Sequence, residues 1–162
     1  MKPETPARQT GFTLVELAIV LILLAVLAAV AAIRWQSAGE YTVPGQTDLL
    51  AGNIRHIQTL ASAQGRTLRL NIYIDRYCAT ALPDTDCAKA IIDPATGKPF
   101  TVLLTHAVTL TGISTDLDSF GRPKDSAGLL LSTPRIFKLK AETTMWSVTL
   151  SPVSGFIAVA TP

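Results

Sequence analysis

From Phe12 to Ile33 the chain carries only two polar residues, Thr13 and Glu16, and no other feature constrains its folding as strongly. At about 1.5 Å per helical residue this run extends to roughly 33 Å, enough to cross the hydrocarbon core of a bilayer. After Ile33 the pattern changes to charges of both signs, glycine and proline at intervals, and apolar residues in alternation. Of the 162 residues, 48% are hydrophobic and 16% charged, and the N-terminal run holds much of that apolar excess. The expected organisation is a short cytoplasmic tail, one membrane helix and a single small ectodomain. Lys2 and Arg8 before the helix favour an N-terminus left inside, while Glu4 and Arg34 weaken the asymmetry.

The remaining composition excludes more than it selects. A net charge of +2, from 14 basic and 12 acidic residues spread along the chain, points to no polyanionic or acidic partner. Cys78 and Cys87 fall in the segment expected outside the membrane, where they either close a small loop or remain two thiols. A closed loop of this size would contribute about 2.5 kcal/mol through the entropy of the unfolded chain. With His56 and His106 these cysteines do not form a ligand cluster of zinc spacing, so neither a metal nor a cofactor is expected. The stretch Thr115 to Gly121 begins like a calcium loop, but Phe120 stands where an oxygen ligand belongs and Ala127 occupies the twelfth position.

An N-terminal apolar run also has to be weighed as a cleaved secretory signal, and the small residues Ala28, Ala29, Ala31 and Ala32 would suit such a cut. The run is longer than a typical signal core. It also contains Glu16, and a carboxylate inside a membrane helix costs a few kcal/mol unless it has a role and a partner. The segment Gly11-Phe12-Thr13-Leu14-Val15-Glu16-Leu17, with a short basic leader before it and the apolar helix after it, resembles the N-terminus of type IV pilins and type II secretion pseudopilins. That resemblance implies a prepilin peptidase that cuts between Gly11 and Phe12 and methylates the new amine. It also implies that Glu16, fifth in the processed chain, meets the N-terminal amine of a neighbouring subunit. Two charges in an apolar bundle stabilise only when both are present, so such a pair would set docking in register. The plainer alternative is a Glu that snorkels to water from the start of the helix. The implied domains are a leader at 1–11, a hydrophobic assembly helix at 12–38 and a pilin-like domain at 39–162.

The implied fold class is α+β, with a helix packed on a mainly antiparallel sheet, and the rest of the sequence fits it. Ser37-Ala38-Gly39 and Val43-Pro44-Gly45 interrupt the helical pattern, so a bend or break is expected there. A second helix is expected from an N-cap at Thr47 to Gln64, stopped by Gly65. Leu50, Ile54, Ile57 and Ala61 recur at helical spacing and should face the sheet, with Asn53, Arg55, His56 and Gln58 turned outward. Leu68 to Ile74 alternates as a strand running into the cysteine loop, and Phe100 to Thr111 alternates as another, with His106 on its apolar face as a core or rim residue. Further strands are expected at Gly128 to Leu131, Ile136 to Ala141, Trp146 to Leu150 and Phe156 to Ala160, meandering in one sheet.

No nucleophile elbow, phosphate-binding glycine loop or metal constellation points to an enzyme. The segment from Asp118 to Pro123 is similar to a loop of minor pilins in the MSHA and GspH-like groups. The resemblance therefore implies a minor structural subunit of an MSHA-type type IV pilus, with other pilin subunits, the prepilin peptidase and the inner membrane as partners. The alternatives are an H-type minor pseudopilin of a type II secretion system and a minor pilin that binds nucleic acid. For the last, Arg135, Lys138 and Lys140 would form a basic surface, although three cations without interleaved aromatic residues usually mark a solvated face or a protected sheet edge.

Overall fold

The computed structural model of the chain describes residues 14–36 and 38–161, and the side chains of 14–25 and 42–161. The leader with Gly11 and Phe12 lies outside the described residues, as does Ser37. The chain divides into two compact units at Ser37.

The first unit contains α1, Leu14–Gln36. Its described side chains, including Leu14, Leu17, Ile19, Val20 and Leu21 to Leu24, are exposed on every side of the helix. A helix apolar all round suits lipid or other helices, not a water-facing surface. Among the described residues no helix is long and apolar enough to cross a membrane; the described side chains of α1 end at Ala25, partway along the run.

The second unit is built on α2, Ala38–Gln64. It runs through Pro44, where the sequence suggests a break. Proline there removes one backbone bond and crowds the preceding turn, at a cost of about 3 kcal/mol in an ordinary helix interior. Packing offsets that cost: Val43 and Thr47 are both fully buried, and Thr47 Oγ1 donates to the Val43 carbonyl at 2.7 Å. Thr47 is consequently an interior helix residue and not a cap. The C-terminus does end as expected, with Gly65 at φ +61° and the pair of bonds Arg66 N to Ala61 O and Gly65 N to Ser62 O, both 3.2 Å, that close a Schellman motif.

Among the described residues nine strands follow: β1 Leu68–Ile72, β2 Arg76–Ala81, β3 Thr101–Leu103, β4 Thr109–Thr111, β5 Thr115–Leu117, β6 Pro123–Lys124, β7 Arg135–Ala141, β8 Thr144–Leu150 and β9 Ile157–Ala160. They form two antiparallel sheets, ordered β3-β2-β1-β5-β6 and β4-β7-β8-β9, where the sequence suggests one. Helix α2 packs against β1 and β5 of the first sheet and β7, β8 and β9 of the second. Leu50, Ile54, Ile57 and Ala61 are buried, as their spacing predicts, in one core with Leu68, Leu70, Leu117, Phe137, Leu139, Val148 and Leu150.

Three strand expectations need correction. The alternation from Leu68 ends at Ile72, because Tyr73 to Asp75 turn the chain back, with Tyr73 N donating to Arg76 O at 2.9 Å. The next strand, β2, lies in what reads as the cysteine loop; Tyr77 to Thr80 are all buried, so the strand has no polar face to give alternation. The run from Phe100 to Thr111 is two strands in different sheets. His106 and Ala107, both at φ +56°, reverse the chain between them, and this leaves His106 exposed and not in the core. Gly128 to Leu131 is no strand: Asp125 accepts from the Ala127 and Leu129 amides at 2.9 Å and holds a turn, with one bridge between Leu130 and Lys124.

The placement of Ile54 gives a direct test of this core. Ile54→Ala removes a fully buried side chain from the helix face that meets both sheets, and should cost about 2–5 kcal/mol. Urea unfolding would show a lower midpoint with an unchanged slope, whereas Leu49→Ala, at a half-exposed position on the same helix, should change stability by no more than about 0.5 kcal/mol.

Candidate functional site

Glu16 stands in the first turn of α1, where a carboxylate complements the positive end of the helix dipole. Val15, Leu17, Ile19 and Val20 around it are exposed apolar residues. Among the described side chains of α1, Glu16 is the acid on a surface otherwise suited to lipid or helix packing.

Cys78 and Cys87 are joined, with Cα atoms 5.6 Å apart. The bond ties buried β2 to a short 3₁₀ turn at Cys87–Lys89, capped by Asp86, which accepts from the Ala88 amide at 3.0 Å. The chain beyond it lies back along β2, through Ile91 N to Ala79 O at 2.9 Å and Ala79 N to Phe100 O at 3.1 Å. The disulfide thus closes a segment that is also held by backbone bonds.

The three basic residues are not brought together. On β7 the inward residues are Arg135, Phe137, Leu139 and Ala141, and the outward ones are Ile136, Lys138 and Lys140. Arg135 is half-buried, and its Nε is the one buried side-chain atom without a hydrogen-bond partner among the described residues. Lys138 and Lys140 share the exposed face. Since β7 lies between β4 and β8, they protect no sheet edge.

The carboxylates of the calcium-like stretch are internal anchors. Asp116 forms a bidentate pair with Arg69, with the Arg69 Nη2 to Asp116 Oδ2 distance 2.8 Å. Asp118 accepts from the Phe120 and Arg122 amides at 2.9 Å and from the Arg122 guanidinium at 3.0 Å. Burial pushes its carboxyl upward, but these bonds to the ionised form outweigh that effect and hold it below the usual carboxylate range. Among the described residues no three His, Cys, Asp or Glu side chains converge to hold a metal ion.

The polar side of α2, expected to be solvated, is engaged with the rest of the domain. Asn53 Nδ2 donates to the Tyr77 hydroxyl at 2.7 Å, and burial pushes that phenol up to about 12. Arg55 reaches the Ile157 carbonyl at 3.3 Å. His56 lies 2.9 Å from Asp93 and stacks on Phe100, with ring centres 5.8 Å apart; its bond to Asp93, followed by the Ala95 amide, holds that carboxyl below its ordinary value. Gln58 Nε2 donates to the carbonyls of Gly121 and Gly155, both at 2.8 Å. It therefore joins the β5–β6 turn of one sheet to the β8–β9 turn of the other. The two glycines are at φ +73° and +68°, and a Cβ on Gly155 would come within 2.6 Å of both Gln58 Nε2 and the Gly121 carbonyl oxygen. No sequence spacing signals this contact, because glycines in turns are common for many reasons.

Two depressions flank α2. One, of about 440 Å³, opens beside Leu49, Asn53, Asp93, Phe100 and Val102. The other, of about 540 Å³, opens between Phe120 and Phe156, with Arg55, Gln58, Thr59 and Ser62 from α2 along it.

Comparison with known proteins bears on both ends of the chain. Residues 6–32 match the family described as the prokaryotic N-terminal methylation motif. The fold is similar to the structure of the minor pseudopilin EpsH from the Type 2 Secretion System of Vibrio cholerae, with a TM-score of 0.52 and 11% sequence identity, covering 75% of this chain and 98% of that one. At that identity the likeness is one of fold. No curated protein sequence matches the chain.

Asp118 provides a pH test of the turn network. Its lowered pKa means that its contribution is present above the unfolded value near 3.9 and is lost as pH falls through the folded value. Asp118→Asn should cost about 1–3 kcal/mol at pH 7 and remove that part of the acid limb from a stability-versus-pH curve; an unchanged acid limb would show that the turn does not depend on this carboxylate.

Proposed function

We propose that the chain is a member of the type IV pilin and pseudopilin family and, within it, a minor structural subunit of an MSHA-type type IV pilus, on the support of the N-terminal methylation motif at residues 6–32 and the similarity in fold to a minor pseudopilin. The observation that carries this reading is the division of labour between the two helices. Every buried apolar side chain among the described residues lies at Val43 or beyond, while the described apolar side chains of α1 are all exposed. On this reading the exposed side chains of Leu14 to Ala25 are available to lipid before assembly and to the helices of other subunits afterwards.

In this reading a prepilin peptidase cuts between Gly11 and Phe12 and methylates the new amine. The subunit waits in the inner membrane with its ectodomain outside. Glu16 then pairs with the amine of a neighbouring subunit during incorporation, and either charge without the other would be left uncompensated in an apolar bundle. The role is structural and needs no cofactor.

The similarity in fold to a type II secretion minor pseudopilin supports a second reading, an H-type minor pseudopilin. A nucleic-acid role is less well supported, because Arg135 lies on the opposite face of β7 from Lys138 and Lys140. Mass spectrometry of sheared surface fibres separates the first two. The pilus reading expects the chain in the fibres, at far below the amount of the main subunit. It also expects Glu16→Ala protein to enter the membrane but be depleted from the fibres. Absence of the wild-type chain from fibres, together with loss of secretion in its deletion strain, would favour the pseudopilin; normal incorporation of the Glu16→Ala protein would remove the role given to that carboxylate.

A further inference from the structure

The depression between Phe120 and Phe156 has the build of a docking site. Both rings are large apolar groups left in water, 76% and 66% exposed. They sit on two turns from different sheets, and those turns are fixed before any partner arrives. Gln58 bonds a carbonyl from each, and no side chain fits at Gly155. The Phe120 turn is further held by Asp118, and the Arg122 guanidinium lies 4.9 Å from the centre of the Phe120 ring. The Phe156 turn is closed by Ser151 N to Phe156 O at 2.8 Å and Gly155 N to Ser151 O at 3.2 Å. Aromatic side chains on pre-ordered turns lose little conformational entropy when covered, and such residues recur at the energetic centres of interfaces.

Charge and volume narrow the occupant. Arg55, which also donates to the Ile157 carbonyl, is the charged residue among the described residues lining the depression, none of which is acidic, and Thr59 and Ser62 complete its surroundings. Arg122, above Phe120, is already paired with Asp118. A space of about 540 Å³ takes a few side chains and not a domain. These features suit a loop that offers one carboxylate to Arg55 and aliphatic groups to the two rings.

We propose that this depression docks an acidic, aliphatic loop on the ectodomain of a neighbouring, different filament subunit, whose carboxylate pairs with Arg55. The proposal rests on the reading of the chain as a minor subunit. Docking there would bury both rings and orient the ectodomain of the minor subunit relative to its neighbour.

The test places p-benzoylphenylalanine at Phe156 in the full chain in cells that assemble filaments, followed by irradiation and mass spectrometry of the crosslinked peptide. The expected result is a crosslink to another protein with a prepilin-type N-terminus, through a peptide containing Asp or Glu beside aliphatic residues. Adding Arg55→Glu should lower the yield at least fivefold, while adding Arg55→Lys should largely retain it. Retention of the Cys78–Cys87 disulfide and of cleavage after Gly11 verifies that each variant is folded and processed. A processed, incorporated chain that gives no crosslink, one that crosslinks to lipid, nucleic acid or a second copy of itself, or a yield indifferent to Arg55→Glu overturns the docking proposal alone. A chain that is neither processed nor incorporated overturns the minor-subunit reading and this proposal with it.

Discussion

Burial of one face of α2 against two sheets at once is the constraint on which the second unit depends. Neither sheet is large, and several strands have only two or three residues, too few to hold together by ladder bonds alone. Leu50, Ile54, Ile57 and Ala61 give the two sheets a shared apolar surface, and burial at about 25 cal/mol per Å² of apolar area makes that surface the main source of stability. The same requirement explains the passage of α2 through Pro44. The side chains of Val43 and Thr47 are already within the core, so ending the helix after proline would expose more than the lost backbone bond costs.

Once the helix and sheets are fixed, the polar groups of α2 bring the connecting turns to it. Asn53 meets Tyr77, His56 meets Asp93 and Phe100, and Gln58 meets Gly121 and Gly155. Each of these contacts reaches across a long sequence separation, and together they fasten β2 and the connecting loops to α2. The disulfide between Cys78 and Cys87 does similar work on β2, an inner strand of the first sheet. The turns beside Gln58 are ordered by carbonyl bonds and carboxylate caps, which leaves their aromatic side chains free to face outward.

The parts of this architecture that follow from periodicity were legible in the sequence. The α2 core positions, the Gly65 stop, and the strands β7, β8 and β9 with their hairpin all agree with the structure within a few residues. What periodicity could not show was pairing at a distance. The residues Phe100 to Thr111 read as one alternating run, with His106 on its apolar face, yet two successive left-handed residues send the halves to different sheets. Strand β2 is buried on both faces and so has no alternation to detect. The outward face of α2 looked solvated because Asn53, Arg55 and Gln58 are polar, but their partners are carbonyls and a hydroxyl supplied by strands and turns up to about a hundred residues away. At the N-terminus the prepilin-type pattern, one acid at fixed spacing in an apolar run, agrees with the methylation motif matched at residues 6–32. The Phe120 and Phe156 depression exists only after folding.

The proposed role as a filament subunit requires a prepilin-type N-terminus whose helix is kept for assembly. Intact-mass and N-terminal peptide analysis of the full chain, made in cells with and without a prepilin peptidase, tests this most directly. The predicted result is a peptidase-dependent product that begins at methylated Phe12 and keeps Glu16 as its fifth residue. A product beginning after the alanine cluster at Ala28 to Ala32, formed regardless of the peptidase, would contradict it: the chain would then be a secreted domain without the helix that the assembly role requires.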